Sequence, residues 1–227
     1  MDKVPFTVYD FFSYLAAGFT LLFAVDASFN LDFFPVASWP VGHVILGIIA
    51  AYVVGHAVAH ISSVVLEHGF LRKCLGSPAE HLLALEAPSS PWRSIFRGTF
   101  EPLPLETRVR VLERAVSENV GDDPMARFYH CRTLVSRNDA TLKRLDIFLN
   151  LYGFARNLCM AALLSALVLV VSFAWQRPIG SMSDETRLTV AALCVVAAFF
   201  LLLRYLKFFR EYTLEIFTEY AEPGADE

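Results

Sequence analysis

The chain has 227 residues, 56% of them apolar, with a formal net charge of −4 and a mean hydropathy of +0.48. The apolar share exceeds the ~45–50% of soluble domains, and the acidic balance excludes a broad basic field for nucleic acid. The four cysteines, Cys74, Cys131, Cys159 and Cys194, make no CxxC pair, so neither a disulfide framework nor a zinc knuckle is suggested.

The first apolar stretch covers residues 4–25. Only Lys3 stands before it, and no small-x-small cleavage site precedes the Phe-rich residues 29–34, so it reads as a retained span rather than a signal peptide. Further stretches follow at 41–66, 155–175 and 188–205. Each supplies the ~20 mostly apolar residues that a helix needs to cross ~30 Å of hydrocarbon. The loop 26–40 has no Lys or Arg, and the loop 176–187 has two. With Lys3, the twelve in residues 67–153, Arg156, Arg204 at the end of the last stretch, and Lys207 and Arg210 beyond it, 17 basic residues fall on one side against 2 on the other. The positive-inside rule then predicts both termini and the middle segment on the cytoplasmic side of the cell's inner membrane. Trp39 and Trp175 fall at the outer ends of spans two and three, where aromatic belts form. Arg outnumbers Lys 15 to 4, a compositional hint of a GC-rich bacterial source.

The middle segment is too long for a bare loop. Pro78, Pro88, Pro91, Pro102 and Pro104 punctuate its first part, leaving room for one short helix over 79–85. Residues 105–120 predict an amphipathic helix, with Leu105, Val109, Leu112 and Val116 on one stripe and Glu106–Arg110 as an i,i+4 pair. Asp123 and Pro124 start another helix, and Asp139 is positioned to cap the next. No Gly or Pro interrupts residues 140–152, so the third span begins ~15 residues inside the cytoplasm, and the fourth continues to about Tyr220. The aromatic run Tyr205, Phe208, Phe209, Tyr212, Phe217 and Tyr220 is expected to pack on the middle segment or lie at the interface. Residues 222–227 read as a frayed acidic tail.

The predicted architecture is an all-α integral membrane protein, with four transmembrane helices and a helical cytoplasmic domain inserted between spans two and three. Its parts are 1–68, spans one and two; 69–138, the cytoplasmic insertion; and 139–227, spans three and four with long cytoplasmic extensions.

The second span carries the polar chemistry. Gly47, Ala51, Gly55 and Ala59 recur every four residues, with Ser63 next, and make a small-residue ridge for close helix approach, within one chain or between copies. Beside it, Tyr52, His56, His60, Ser63 and Glu67 share one helix face. Intramembrane ionisable groups are costly and normally face a bundle interior or a water-filled cavity. Three readings are open. His56 and His60 can chelate a metal if Glu67 or His68 helps; the stripe can line a proton or ion path; or its side chains hydrogen-bond neighbouring helices and specify packing. No third metal ligand is evident, so no metal and no cofactor is assigned. At the inner boundary, Arg156 is predicted to pair with Glu67 or Asp10, which lowers the cost of holding charge near lipid.

No phosphate-binding Gly-rich loop, G-x-S-x-G elbow or dinucleotide fingerprint occurs. Ser89, Ser90 and Cys131 have no evident base partner, and His130 and Cys131 point ~100° apart on a helix. No catalytic residue is assigned. The basic residues Arg127, Arg132, Arg137, Lys143 and Arg144 set topology or hold anionic headgroups. The layout, though no motif, resembles that of small bacterial membrane proteins that disturb or gate the membrane on a cytoplasmic signal, some phage-defence effectors among them. The expected function is a non-enzymatic, channel-like membrane effector. Its partners are the lipid bilayer and either further copies or a protein bound through the cytoplasmic domain, with no nucleic acid. The alternatives are a membrane-embedded metalloenzyme using His56, His60 and Glu67, or an accessory scaffold subunit.

Overall fold

The computed structural model describes residues 8–31, 33, 40–87, 91–175 and 183–222. Lys3, Trp39, Ser89 and Ser90 lie outside the described residues, as do positions 32, 34–38, 176–182 and 223–227 of the expected loops and tail. Every regular element among the described residues is helical, and four helices are long and apolar enough to cross a membrane.

Helix α1 spans Val8–Phe29. It stops at Asn30, which takes φ 51° and donates its N–H to the Asp26 carbonyl at 2.7 Å, the left-handed termination that Asn tolerates. Helix α2, Val41–Ser62, starts after Pro40, whose carbonyl accepts from the His43 and Val44 N–H groups. It does not end where its hydrophobic run ends. Ser63–Leu75 continues as a π-helix, thirteen residues of i→i−5 bonding, closed by Gly76 N donating to the Leu71 carbonyl at 2.9 Å. Such helices seldom exceed one turn, and no residue type marks them, so this one is not legible from the residues alone. Gly76 has φ +81°, which only glycine adopts without strain, and it ends the segment.

Helix α3, Pro78–Leu83, opens with a capping box: Ser77 Oγ accepts from Ala79 N, and Glu80 Oε2 accepts from Ser77 N. Short 3-10 turns follow at Pro91–Ser94 and Arg97–Phe100. Helix α4 covers Leu105–Ser117 and stops short of the expected residue 120. Asn119 takes φ 57°, and Val120 N reaches back to the Ala115 carbonyl at 2.9 Å, a Schellman termination. Helix α5 is Pro124–Val135, with the Asp123 carboxylate accepting from Ala126 N at 2.8 Å. Helix α6 is Asp139–Ala174 and helix α7 is Asp184–Ala221. The cap of α6 is Asn138, not Asp139: its Oδ1 accepts from Ala140 N at 2.9 Å. A cap carbonyl oxygen must sit one residue before the first helical residue to reach these N–H groups, and Asp139 is already helical.

The chain divides into two compact units, Met1–Glu67 with Gly153–Arg204, and His68–Tyr152 with Tyr205–Glu227. The first holds α1, α2 and the apolar parts of α6 and α7. Its core is built of small side chains, Ala17, Cys159, Ala161, Ala162 and Ala198, interleaved with Val58, Leu66 and Met160. The backbones of α1 and α2 nearly touch. A Cβ on Gly18 would lie 1.7 Å from the Ala51 carbonyl oxygen, and one on Gly55 would lie 1.9 Å from that of Tyr14. In lipid, where apolar burial gives no drive between helices, such approach supplies the packing contacts.

The second unit buries a mixed core of Ala79, Leu82, Leu103, Val111, Phe128, Cys131, Val135 and Leu145 around Tyr212, Ile216, Phe217 and Tyr220 of α7. Tyr212, Phe217 and Tyr220 of the aromatic C-terminal run are therefore core material, while Phe208 and Phe209 are half-buried. Helix α4 enters this core through Arg108, Val111 and Ala115, so the apolar stripe read from its sequence is not its buried face.

Candidate functional site

The first unit contains a polar junction built by three helices. Ser13 of α1, Ser62 of α2 and Asn157 of α6 are all buried, at 3%, 0% and 3% exposure. Asn157 Nδ2 donates to Ser13 Oγ at 3.1 Å, and Ser62 Oγ donates to Asn157 Oδ1 at 3.1 Å. One amide thus satisfies two hydroxyls and fixes the register of three helices at one depth. Beside it, Arg156 Nη1 donates to Glu67 Oε2 at 2.6 Å, and Ser63 Oγ donates to the same oxygen at 3.4 Å. The paired side chains retain 16% and 25% of their exposure, so the charges are shielded but not sealed off. Asp10 lies half-buried on α1, one turn before Ser13 and Tyr14.

The second-span stripe is placed otherwise. The buried face of α2 is Ala51, Gly55, Val58 and Ser62, which turns His56 and His60 to the outside. The His56 ring stacks on Tyr14 at 4.1 Å between centroids, and Tyr52 meets it edge-on at 4.6 Å. Phe11 extends the group, 5.4 Å from Tyr52. Of the small ridge, Ala51 and Gly55 lie against α1, whereas Gly47 and Ala59 are half-buried. Among the described residues, no group of three or more His, Cys, Asp and Glu side chains is arranged to hold a metal ion. The structure thus gathers Ser63, Glu67 and Arg156 at one junction and sets His56 and His60 apart from it on an exposed face.

A second polar cluster, absent from the sequence reading, sits in the other unit. Glu118 Oε2 is 2.5 Å from His130 Nε2 and accepts from the Tyr220 hydroxyl at 2.8 Å; Glu118 Oε1 accepts from Arg114 Nε at 3.0 Å. Arg114 also donates to the Tyr220 carbonyl and lies 4.5 Å over the Tyr220 ring. Burial pushes the Glu118 carboxyl up, but the bonds from His130, Arg114 and Tyr220 outweigh it and hold it below the usual value. Burial raises the Cys131 thiol to about 12, so it stays protonated and inert. Burial lowers His81, against a Leu75 carbonyl 2.6 Å from Nε2 that favours the protonated form. The basic run before α6 is divided. Arg127 is buried on Asp122, Arg144 is held by Glu215 and Glu219, and Arg132, Arg137 and Lys143 are exposed.

Spacing alone could place Ser13 and Asn157 near the inner boundary. Ser62 and the Glu118 cluster depend on which helices become neighbours, and no local signal carries that. No family model, curated protein or solved structure matches the chain.

Proposed function

We propose that the protein is a non-enzymatic membrane effector or channel-like component that acts as a homo-oligomer in a bacterial inner membrane. Both termini and the second unit lie on the cytoplasmic side, where that unit receives a partner or ligand. The observation that carries this is the outward placement of His56 and His60. His56 lies fifteen residues beyond Val41, about 22 Å along the helix at 1.5 Å per residue, within the hydrocarbon thickness. An imidazole facing lipid is costly, whereas one facing another copy or a water-filled path between copies is not. The close α1–α2 approach and the hydrogen-bonded Ser13–Asn157–Ser62 junction support a polar path along this outer face rather than through that contact.

The accessory-scaffold reading draws on one observation, the stacking of His56 on Tyr14 within the same chain, which gives the ring an intramolecular partner. Among the described residues, no third ligand joins His56 and His60 in support of the metalloenzyme reading. Expression in a bacterial host with a voltage-sensitive dye separates the first two. Wild type is expected to depolarise the membrane, and His56→Ala/His60→Ala at matched membrane levels is not. Wild type that leaves the potential unchanged, with its triggering unit intact and overexpressed, favours the scaffold.

A further inference from the structure

We propose that Arg187 and Ser28 form a binding site for a monovalent anion, at the end of the first unit away from the Arg156–Glu67 pair. The site lies within one chain, so it does not depend on the homo-oligomer of the proposed function.

Both residues are buried, at 2% exposure each. Among the described residues, neither Arg187 Nε nor Ser28 Oγ has a hydrogen-bond partner. The carboxylate that Arg187 meets among them is that of Asp184, 3.6 Å from Nη1, on a side chain that is 74% exposed. So long and so wet a contact does little to balance a guanidinium, which stays charged at any ordinary pH. A buried charge without a close partner is costly, and in membrane helices such residues mark ligand and ion sites.

Helix register brings the two residues to one level. Asn157 donates to Ser13, and Ser165 Oγ donates to the Thr20 carbonyl at 3.3 Å, offsets of 144 and 145 residues, so α1 and α6 run parallel and in step. The same offset sets Ser28 level with Ser172, which is also buried. Only residues 175–183 separate α6 from α7, so these two run antiparallel, and the Cys159 thiol donates to the Ala198 carbonyl. Arg187 then falls about two residues, ~3 Å, from the level of Ser172. Helical spacing turns both side chains inward. Ser28 continues the stripe of Ala17 and Ala24, Arg187 begins that of Ala191 and Ala198, and Ala17 and Ala198 share one core. Ser28, Ser172 and Arg187 each lie within one turn of a helix end, so a solute enters without crossing the apolar interior.

The chemistry is that of an anion site. A guanidinium carries N–H donors and no acceptor, and the Ser28 hydroxyl can donate, whereas that of Ser172 is used on the Leu169 carbonyl at 2.8 Å. Arg187 stands in the first turn of α7, where the helix dipole adds positive character. One guanidinium balances one negative charge, and Asp184 and Glu185 at the same helix end oppose a second, so the occupant is monovalent. A free halide and the phosphodiester of a lipid headgroup both fit that description.

The test is thermal unfolding of the delipidated full chain in non-ionic detergent. Chloride replaces gluconate at constant ionic strength in one series, and phosphatidylglycerol is added in gluconate in another. Wild type is expected to gain about 2–4 °C, saturably, in at least one series. A gain with chloride identifies the halide, and a gain with phosphatidylglycerol alone identifies the phosphodiester. Arg187→Gln removes the charge that needs an occupant, so it should be at least as stable as wild type in gluconate and gain nothing in either series. Ser28→Ala should raise the half-maximal concentration by about tenfold. Chlorine NMR line widths on wild type and Arg187→Lys, which keeps the charge, read binding without a neutral variant; both should broaden the line saturably if the halide binds. The proposal is overturned if wild type responds to neither anion, if Arg187→Gln responds as wild type does, or if Ser28→Ala leaves the half-maximal concentration unchanged. It is also overturned if Arg187→Gln and Asp184→Asn destabilise the gluconate form equally, because Arg187 is then paired within the chain.

Discussion

Arg156 and Glu67, 89 residues apart in sequence, share a 2.6 Å hydrogen-bonded ion pair in which both side chains are largely shielded. Removing one partner takes a charge-assisted hydrogen bond from the other in a largely shielded place, so Glu67→Gln or Arg156→Gln is expected to cost about 1–3 kcal/mol, less than a fully buried pair would. The double variant should recover much of that loss. Thermal unfolding in detergent measures all three, and a double variant no more stable than the worse single one would show that the pair is not coupled.

Asn157 bridges Ser13 and Ser62 in the bundle interior. Asn157→Leu keeps the volume and strands both hydroxyls. Interhelical hydrogen bonds in membranes are modest, so the expected loss is about 1 kcal/mol, with Ser62→Ala costing less. Denaturation in mixed micelles reads this directly. A neutral Asn157→Leu would mean that the hydroxyls find other acceptors, such as the backbone of the preceding turn.

Two glycines should respond to alanine with opposite sign. At Gly55 the new Cβ would meet the Tyr14 carbonyl oxygen at 1.9 Å, so α1 and α2 must separate. A loss above about 2 kcal/mol is expected, as for other overpacked contacts. At Gly153, within α6, nothing lies within 4 Å of a built Cβ, so alanine should stabilise by roughly 0.5–1 kcal/mol through helix propensity. Equal effects at the two sites would contradict the α1–α2 approach.

Acid should weaken the second unit in two steps. His81 has its pKa lowered by burial, so the unfolded chain binds the proton more readily. Stability from neutral His81 is present above its ordinary value of 6.5 and declines as pH falls from there toward the folded-state value. Glu118 is also lowered, so its contribution is present above its ordinary value of 4.5 and is lost as pH falls below that through the folded-state value. Thermal midpoints from pH 8 to 3 should show the first step vanish in His81→Phe and the second shrink in Glu118→Gln. A pH profile unchanged by Glu118→Gln would remove the His130–Glu118–Tyr220 network from the stability of this unit.

Composition and hydropathy determined that this chain is helical, with four helices long and apolar enough to cross a membrane, because about twenty mostly apolar residues in hydrocarbon satisfy their backbone groups best as a helix. Local chemistry marked several helix boundaries, such as the Asp123–Pro124 start of α5, because a cap acts within one turn of its own residue. Helical spacing likewise grouped Tyr52, His56 and His60 on one face and Leu105, Val109, Leu112 and Val116 on another. It did not say which way either face turns. Tertiary structure decided that: the α1–α2 contact at Gly18, Ala51 and Gly55 left His56 and His60 outside, and burial of Arg108, Val111 and Ala115 left the α4 ridge uncovered. Periodicity fixes the angle between side chains on one helix. Only the neighbours a helix finds fix where that angle points.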